Sequence, residues 1–168
     1  MIVAIWTLLS ILVVYDLREN RIPNNVILLL LVIVMSHTAY VSGGLFSIPV
    51  SHYTGFLLGF SIGFTLYLLK VLAAGDVKLI AVLSFNVGVE SVPEFYLVIC
   101  LLGGFLSLFY VAREIASSNK DFAALARTYV VSNIYGRIQK GRHIDTIVFR
   151  IPFAPAIVLG YLALPYFI

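Results

Sequence analysis

The chain has 168 residues, of which 61% are hydrophobic and only 11% are charged, whereas a soluble domain carries about 25% charged residues. A soluble body of this size needs more charge to keep large apolar patches off its surface, so the composition excludes an ordinary soluble domain. The single cysteine, Cys100, excludes an intramolecular disulfide framework and a cysteine-rich zinc site. We therefore expect a protein that spans a membrane several times.

Apolar runs close to the length of a membrane helix predict an all-α fold, a polytopic bundle of about six transmembrane helices. The first and fourth runs are short, and each has an aspartate at one end. The first run lacks the basic start and the cleavage pattern of a secretory signal, so we expect a mature helix. In chain order the predicted spans are about Met1–Tyr15, Asn24–Val41, Tyr53–Ala73, Asp76–Val89, Glu94–Ala112 and Ile151–Phe167.

The basic residues predict the orientation of the bundle. Nine of the 11 Lys and Arg residues fall in the connections after spans one and five, and the other two, Lys70 and Lys78, bracket the junction between spans three and four. The connections after spans two and four contain none. Because basic connections stay in the cytoplasm, both termini are expected to be extracytoplasmic. We expect one membrane-embedded domain, 1–168, with a basic cytoplasmic segment at about 113–150. Apolar residues at helical spacing within 122–138 favour either an amphipathic surface helix or a solvated loop there.

The net charge of +3 is explained by this orientation and by attraction to anionic membrane lipid, so we expect no nucleic-acid partner. His37 and His52 fall on the extracytoplasmic side and are not assigned to a site. Two histidines in one connection are either a metal site or packing residues, and no metal or other cofactor is expected.

Two patterns predict how the helices pack. Gly55, Gly59 and Gly63 recur every four residues in the third span, which places them on one helix face and allows a neighbouring helix to approach closely. Pro152 and Pro155 interrupt regular helical hydrogen bonding at the start of span six. Unpaired carbonyls at membrane depth need protein or a polar cavity around them, so we expect this segment to lie beside the aspartates.

Asp16 and Asp76 stand out among the eight acidic residues because each adjoins a predicted span on the cytoplasmic side. Taken singly, each has a structural explanation: Asp16 as the partner of Arg18 or Arg21, and Asp76 as the N-cap of span four. Taken together, two converging carboxyl groups are typical of an aspartic hydrolase. In such a site an ionised carboxylate takes a proton from water, and a protonated one donates to the scissile carbonyl.

The helix ends suggest which carboxyl group holds the proton. Asp76 begins a span, where the positive end of the helix dipole favours a carboxylate, and Asp16 ends one, where the negative end disfavours it. We therefore hypothesise that Asp76 is the more ionised of the two. Gly75 lacks a Cβ, which allows backbone or substrate to approach the Asp76 carboxyl group.

Three separated motifs resemble those of the aspartic prepilin peptidases of the membrane-embedded Gly-x-Gly-Asp class. The resemblance extends over essentially the whole chain. The short, stand-alone form of the chain resembles the peptidases of Flp (tight-adherence) pilus systems. The motifs are Asp16 with Arg18 and Ile22-Pro23-Asn24, Gly75-Asp76-Val77-Lys78-Leu79, and Ile151-Pro152-Phe153-Ala154-Pro155-Ala156.

The resemblance implies an endopeptidase of the bacterial inner membrane that removes the short basic leader of a prepilin or pseudopilin at the cytoplasmic face. It implies that Asp16 and Asp76 are catalytic and that Gly75 and Lys78 support them. Lys78 matches a recurring lysine that balances charge, contacts substrate or marks the membrane interface. Ala73 stands where the family usually has its first motif glycine, which affects the expected loop geometry.

The longer members of the family carry an amino-terminal cytoplasmic domain linked to methylation of the new amino terminus. Nothing in this sequence corresponds to that domain, so we expect cleavage without N-methylation. The alternative function is an ion-coupled transporter or a non-catalytic membrane subunit of a pilus or secretion assembly. Either would also use buried aspartates, for proton relay or for helix pairing.

Overall fold

The computed structural model describes residues 1–117 and 152–164, and this part of the chain is helical without any strand. Six helices coincide with the six predicted spans, so the all-α prediction is confirmed for these residues. They are α1 (Ile2–Glu19), α2 (Asn24–Val41), α3 (Val50–Leu68), α4 (Ala74–Val87), α5 (Val92–Ser117) and α6 (Ala154–Ala163), with short 3-10 helices at Leu45–Ser47 and Val89–Ser91.

The helix ends differ from the predicted spans at three places that concern the aspartates. Helix α4 begins at Ala74, two residues before the predicted start at Asp76. Helix α1 continues to Glu19, so Asp16 is part of its last turn. Helix α6 begins at Ala154, with Phe153 as its N-cap and Pro155 in its first turn. Proline is tolerated there because a first-turn N–H has no partner within the helix. Most of the predicted basic segment, including the apolar pattern within 122–138, lies outside the described residues.

Within residues 1–117 and 152–164, two helices are long and apolar enough to cross a membrane: α2, and a stretch over Val89–Tyr110 that includes most of α5. Helices α4 and α6, with 14 and 10 residues, are shorter than the roughly 20 residues that a bilayer requires. Helix α1 carries charged residues in its last turn. The six-span topology and the extracytoplasmic termini therefore stay predictions.

Helix α4 lies at the centre of a compact unit formed by residues 1–104 and 152–164, while a second unit starts at Phe105. It packs against α2, α3 and α6. Every residue from Leu79 to Phe85 is buried, as expected for a helix covered on several sides. Large apolar side chains remain exposed on the outer faces of the other helices, an exposure that is unusual for a soluble protein.

The three glycines of α3 face α4 and form a contact that we call the glycine seam. A Cβ on Gly55 would lie 2.7 Å from the carbonyl oxygen of Ser84, and one on Gly59 would lie 2.5 Å from the Ser84 Cβ. The Tyr96 hydroxyl donates to the carbonyl oxygen of Gly59 at 2.6 Å. Gly55, Gly59 and Gly63 are all buried, so the predicted close approach is confirmed.

Candidate active site

Four helix ends meet at one end of the first unit, which we call the carboxylate end: the C-terminus of α1 and the N-termini of α2, α4 and α6. The Lys78 Nζ of α4 donates to the Asn24 Oδ1 of α2 at 2.8 Å. The Ala154 N–H of α6 donates to the Asp16 Oδ2 of α1 at 2.9 Å. Segments far apart in the sequence are therefore adjacent here, and the predicted position of the Pro152–Ala156 segment beside an aspartate is confirmed.

Asp16 is surrounded mainly by protein and is only 5% exposed. It lies just beyond the predicted span Met1–Tyr15. Burial raises the pKa of its carboxyl group, and hydrogen bonds from the N–H groups of Ala154 and Phe153 lower that pKa. Arg18 is exposed, as is Arg21 in the following link. The surroundings of Asp16 are therefore set by the start of α6 and not by the neighbouring arginines.

Asp76 is the third residue of α4 and is 6% exposed. Its Oδ2 accepts a hydrogen bond from the N–H of Ala73 at 3.3 Å. Ala73 is the N-cap, so the interpretation of Asp76 as the N-cap is wrong, and its side chain instead reaches back to the free N–H at the helix start. This position is favourable for a carboxylate because the N-terminal end of a helix carries a partial positive charge.

The structure brings the two candidate carboxyl groups together. They are close enough for the charge of Asp16 to act on Asp76, and both α1 and α4 pack against α6. Two buried carboxyl groups at short range share a proton, because ionising both brings like charges together in a poorly solvated place. One ionised and one protonated group can together activate a water molecule and protonate a carbonyl oxygen.

The structural reason for a glycine at position 75 differs from the expected one. A Cβ on Gly75 would lie 3.0 Å from the Cβ of Ile22 in the link between α1 and α2. The missing side chain therefore admits this link, which carries Ile22 towards the start of α4. Ala73 has φ −82° and ψ 155°, an ordinary extended conformation, so alanine fits where the family usually has glycine.

Lys78 is exposed and holds the start of α2 through Asn24. His52 is far from the carboxylate end, because its Nδ1 lies 2.7 Å from the carbonyl oxygen of Phe85 near the other end of α4. Residues 1–117 and 152–164 contain no group of three or more His, Cys, Asp and Glu side chains that could hold a metal ion.

The sequence did not predict the role of one residue near the site, Gly103. A Cβ on Gly103 of α5 would lie 2.5 Å from the Cε2 of Phe153, so the ring of Phe153 occupies the space that this glycine leaves open. Gly103 follows no repeated spacing such as that of the glycine seam. Its sequence signal is limited to a Gly103-Gly104 pair in an apolar helix.

The family model for the type IV leader peptidase family matches residues 2–108. The chain belongs to the type IV leader peptidase family. The matched residues include both Asp16 and Asp76 and end before α6. Membership of this membrane-associated peptidase family confirms the resemblance seen in the sequence. No curated protein and no solved structure matches the chain.

Proposed function

We propose that this leader peptidase is an aspartic endopeptidase that removes the short basic leader of prepilin or pseudopilin precursors at the cytoplasmic face of the bacterial inner membrane. One observation carries the proposal: the buried carboxyl groups of Asp16 and Asp76, from two separate helices, lie close together. Membership of the type IV leader peptidase family supplies the reaction class.

The two carboxyl groups supply the proton transfers of amide hydrolysis. The ionised carboxylate takes a proton from water as the water oxygen bonds to the scissile carbonyl carbon, and the protonated partner donates its proton to the carbonyl oxygen. As the resulting diol collapses, the C–N bond breaks and the first carboxyl group protonates the leaving nitrogen. The second carboxylate takes a proton from the diol, so the pair returns to its starting state.

The carboxylate end suits a substrate with a basic leader followed by an apolar helix. Such a substrate packs its helix along the bundle in the lipid while its leader stays in water. Water then reaches the scissile bond from the cytoplasm. Gly75 and Lys78 support the site by allowing the link between α1 and α2 to approach α4 and by holding the start of α2.

The test is co-expression with a small pilin precursor and measurement of leader removal by mass. We expect Asp16→Asn and Asp76→Asn each to reduce cleavage by at least about 10³-fold while the protein still inserts in the membrane. Glu19→Gln is the matched control, because Glu19 is an exposed carboxylate in the same turn as Asp16, and it should cleave normally. Retained cleavage in either aspartate variant contradicts the proposal, and cation flux in proteoliposomes without proteolysis favours a transporter.

A further inference from the structure

The start of α6 has one free backbone donor in its helical first turn, and Asp16 accepts it. Pro155 has no N–H. The N–H groups of Ala156 and Ile157 both donate to the carbonyl oxygen of Phe153, at 3.0 and 3.2 Å. This leaves the N–H of Ala154, which donates to Asp16, and the N–H of the N-cap Phe153 faces the same carboxyl group. The Ala154 N–H is available to a side chain on another helix because the first residue of a helix has no acceptor within the helix.

The position of Ala154 depends on how Phe153, the residue before it, is held. The Phe153 ring fills the space beside Gly103, where an added Cβ would lie 2.5 Å from Cε2 and 2.6 Å from Cζ. A second close contact keeps α5 and α6 together, since a Cβ on Gly160 would lie 3.0 Å from the Cγ1 of Ile99. Ala154 itself is completely buried, so its N–H has little freedom to turn away from Asp16.

We infer that the contact between Gly103 and Phe153 is a positioning device, which holds the Ala154 N–H against Asp16 and keeps Asp16 oriented as the ionised, water-activating group. This inference rests on the proposed function. It makes Gly103 and Phe153 positioning residues and assigns the proton to Asp76. The donor to Asp76 is more distant, 3.3 Å against 2.9 Å, and belongs to the start of its own helix.

This assignment is the reverse of the hypothesis based on helix ends. That hypothesis considered only the negative C-terminal end of α1 beside Asp16. The structure adds the N-terminal end of α6, whose partial positive charge and N–H favour a carboxylate at the same place. Asp16 therefore experiences two opposed helix ends, and the one that donates a hydrogen bond makes the direct contact.

The charged groups around Asp16 are few, which makes its titration a usable measurement. Helices α2 and α6, which border α1, contain no Asp, Glu, Lys or Arg. Asp76 is the nearby carboxyl group on α4, where Lys78 is exposed and bonded to Asn24. On α1 itself Arg18 and Glu19 are exposed. The other titratable side chains of α2 and α6 lie towards the C-terminal ends of these helices, and they are His37, Tyr40 and Tyr161.

The first experiment compares Gly103→Ala with Gly104→Ala in the purified full chain, using a prepilin precursor as substrate. We expect Gly103→Ala to lower kcat by about 10- to 100-fold with little change in KM, because a displacement of about 1 Å at a reacting group has an effect of this size. Gly104 has no atom within 4 Å of an added Cβ, so Gly104→Ala should behave like the natural protein. The double variant Gly103→Ala/Phe153→Leu should recover most of kcat, because leucine lacks the ring atoms that the new methyl group would meet.

The second experiment measures the ionisation of Asp16 by infrared titration in the Asp76→Asn background, with Asp16→Asn/Asp76→Asn subtracted. We expect Gly103→Ala to raise the pKa of the Asp16 carboxyl group by about one unit, because a lost N–H donor disfavours the charged form. Gly104→Ala should leave that pKa unchanged. If Gly103→Ala does not insert, Phe153→Leu alone should raise the same pKa by a smaller amount.

The inference is contradicted if the pKa of Asp16 is unchanged in Gly103→Ala, even if kcat falls, because the effect on kcat is then only structural. Where Gly103→Ala is not obtained, an unchanged pKa in Phe153→Leu contradicts it in the same way. An unchanged kcat in Gly103→Ala contradicts it as well. The infrared measurement does not depend on peptidase activity. Failure of the proposed function, with cleavage retained in Asp16→Asn, is therefore distinguishable from failure of the positioning device.

Discussion

The first turns of α4 present polar side chains to other helix ends, whereas its second half presents small side chains to Gly55 and Gly59 of the glycine seam. Near the start, Asp76 and Lys78 make their contacts through oxygen and nitrogen atoms. In the second half the Ser84 Oγ is buried with no hydrogen-bond partner within the described part of the chain. One half depends on directed polar contacts and the other on close packing, so we expect activity and stability to respond to different substitutions.

The largest expected effect is that of Asp76→Asn, which should affect activity without lowering stability. Cleavage should fall by at least about 10³-fold, while the midpoint of thermal unfolding in detergent should stay the same or rise. The physical reason is that an amide of the same shape cannot share a proton with Asp16 but also removes the repulsion between two buried carboxyl groups. A clear drop in the unfolding midpoint would show that Asp76 is needed for folding.

The glycine seam should show the opposite behaviour. Gly55→Ala should lower the free energy of unfolding by about 2 to 3 kcal/mol, because its Cβ would meet backbone atoms of α4 that cannot move aside. Gly63→Ala should cost about 1 kcal/mol, since its Cβ would lie 3.2 Å from side-chain atoms that can shift. Denaturant unfolding measures both.

Gly104→Ala is the control for the seam, because alanine is the better helix former by up to about 1 kcal/mol and nothing crowds this position. It should be neutral or stabilising. Cleavage by the correctly folded fraction should be unchanged in all three variants. Equal costs for Gly55→Ala and Gly63→Ala would contradict the distinction between backbone and side-chain contacts.

A smaller effect is expected where α4 meets α6 away from the aspartates. The Asn86 amide nitrogen donates to the hydroxyl of Tyr161, and both side chains are partly buried. Tyr161→Phe removes this acceptor and should lower the free energy of unfolding by about 1 kcal/mol. Tyr40→Phe, at an exposed hydroxyl, is the control. A large loss of cleavage in Tyr161→Phe would mean that the polar contacts of the site extend along the whole of α4.

The sequence predicts local features well because they depend on period and composition. The six helical segments and the spacing of the glycine seam belong to this class. The placement of the proline segment beside an aspartate is predicted on a different ground, since unpaired carbonyls at membrane depth need protein or a polar cavity around them. The contacts of Gly75 with Ile22 and of Gly103 with Phe153 could not be predicted. They depend on which helices are neighbours and how each is rotated about its axis, and an apolar membrane helix has too little polar patterning to indicate its rotation.

The smallest expected effect concerns Lys78, whose role at the site has several explanations. If its role is to hold the start of α2, Asn24→Ala should have the same effect as Lys78→Ala, because each removes one partner of the same 2.8 Å hydrogen bond. Both should lower the free energy of unfolding by about 0.5 kcal/mol, since the bond is exposed. Both should reduce cleavage by the same factor. This factor should be below about 10-fold, because the energy lost is only about 0.5 kcal/mol. A much larger loss of cleavage in Lys78→Ala than in Asn24→Ala would instead assign Lys78 to substrate contact or to the charge balance of the two carboxyl groups, and would extend the reactive part of α4 two residues beyond Asp76.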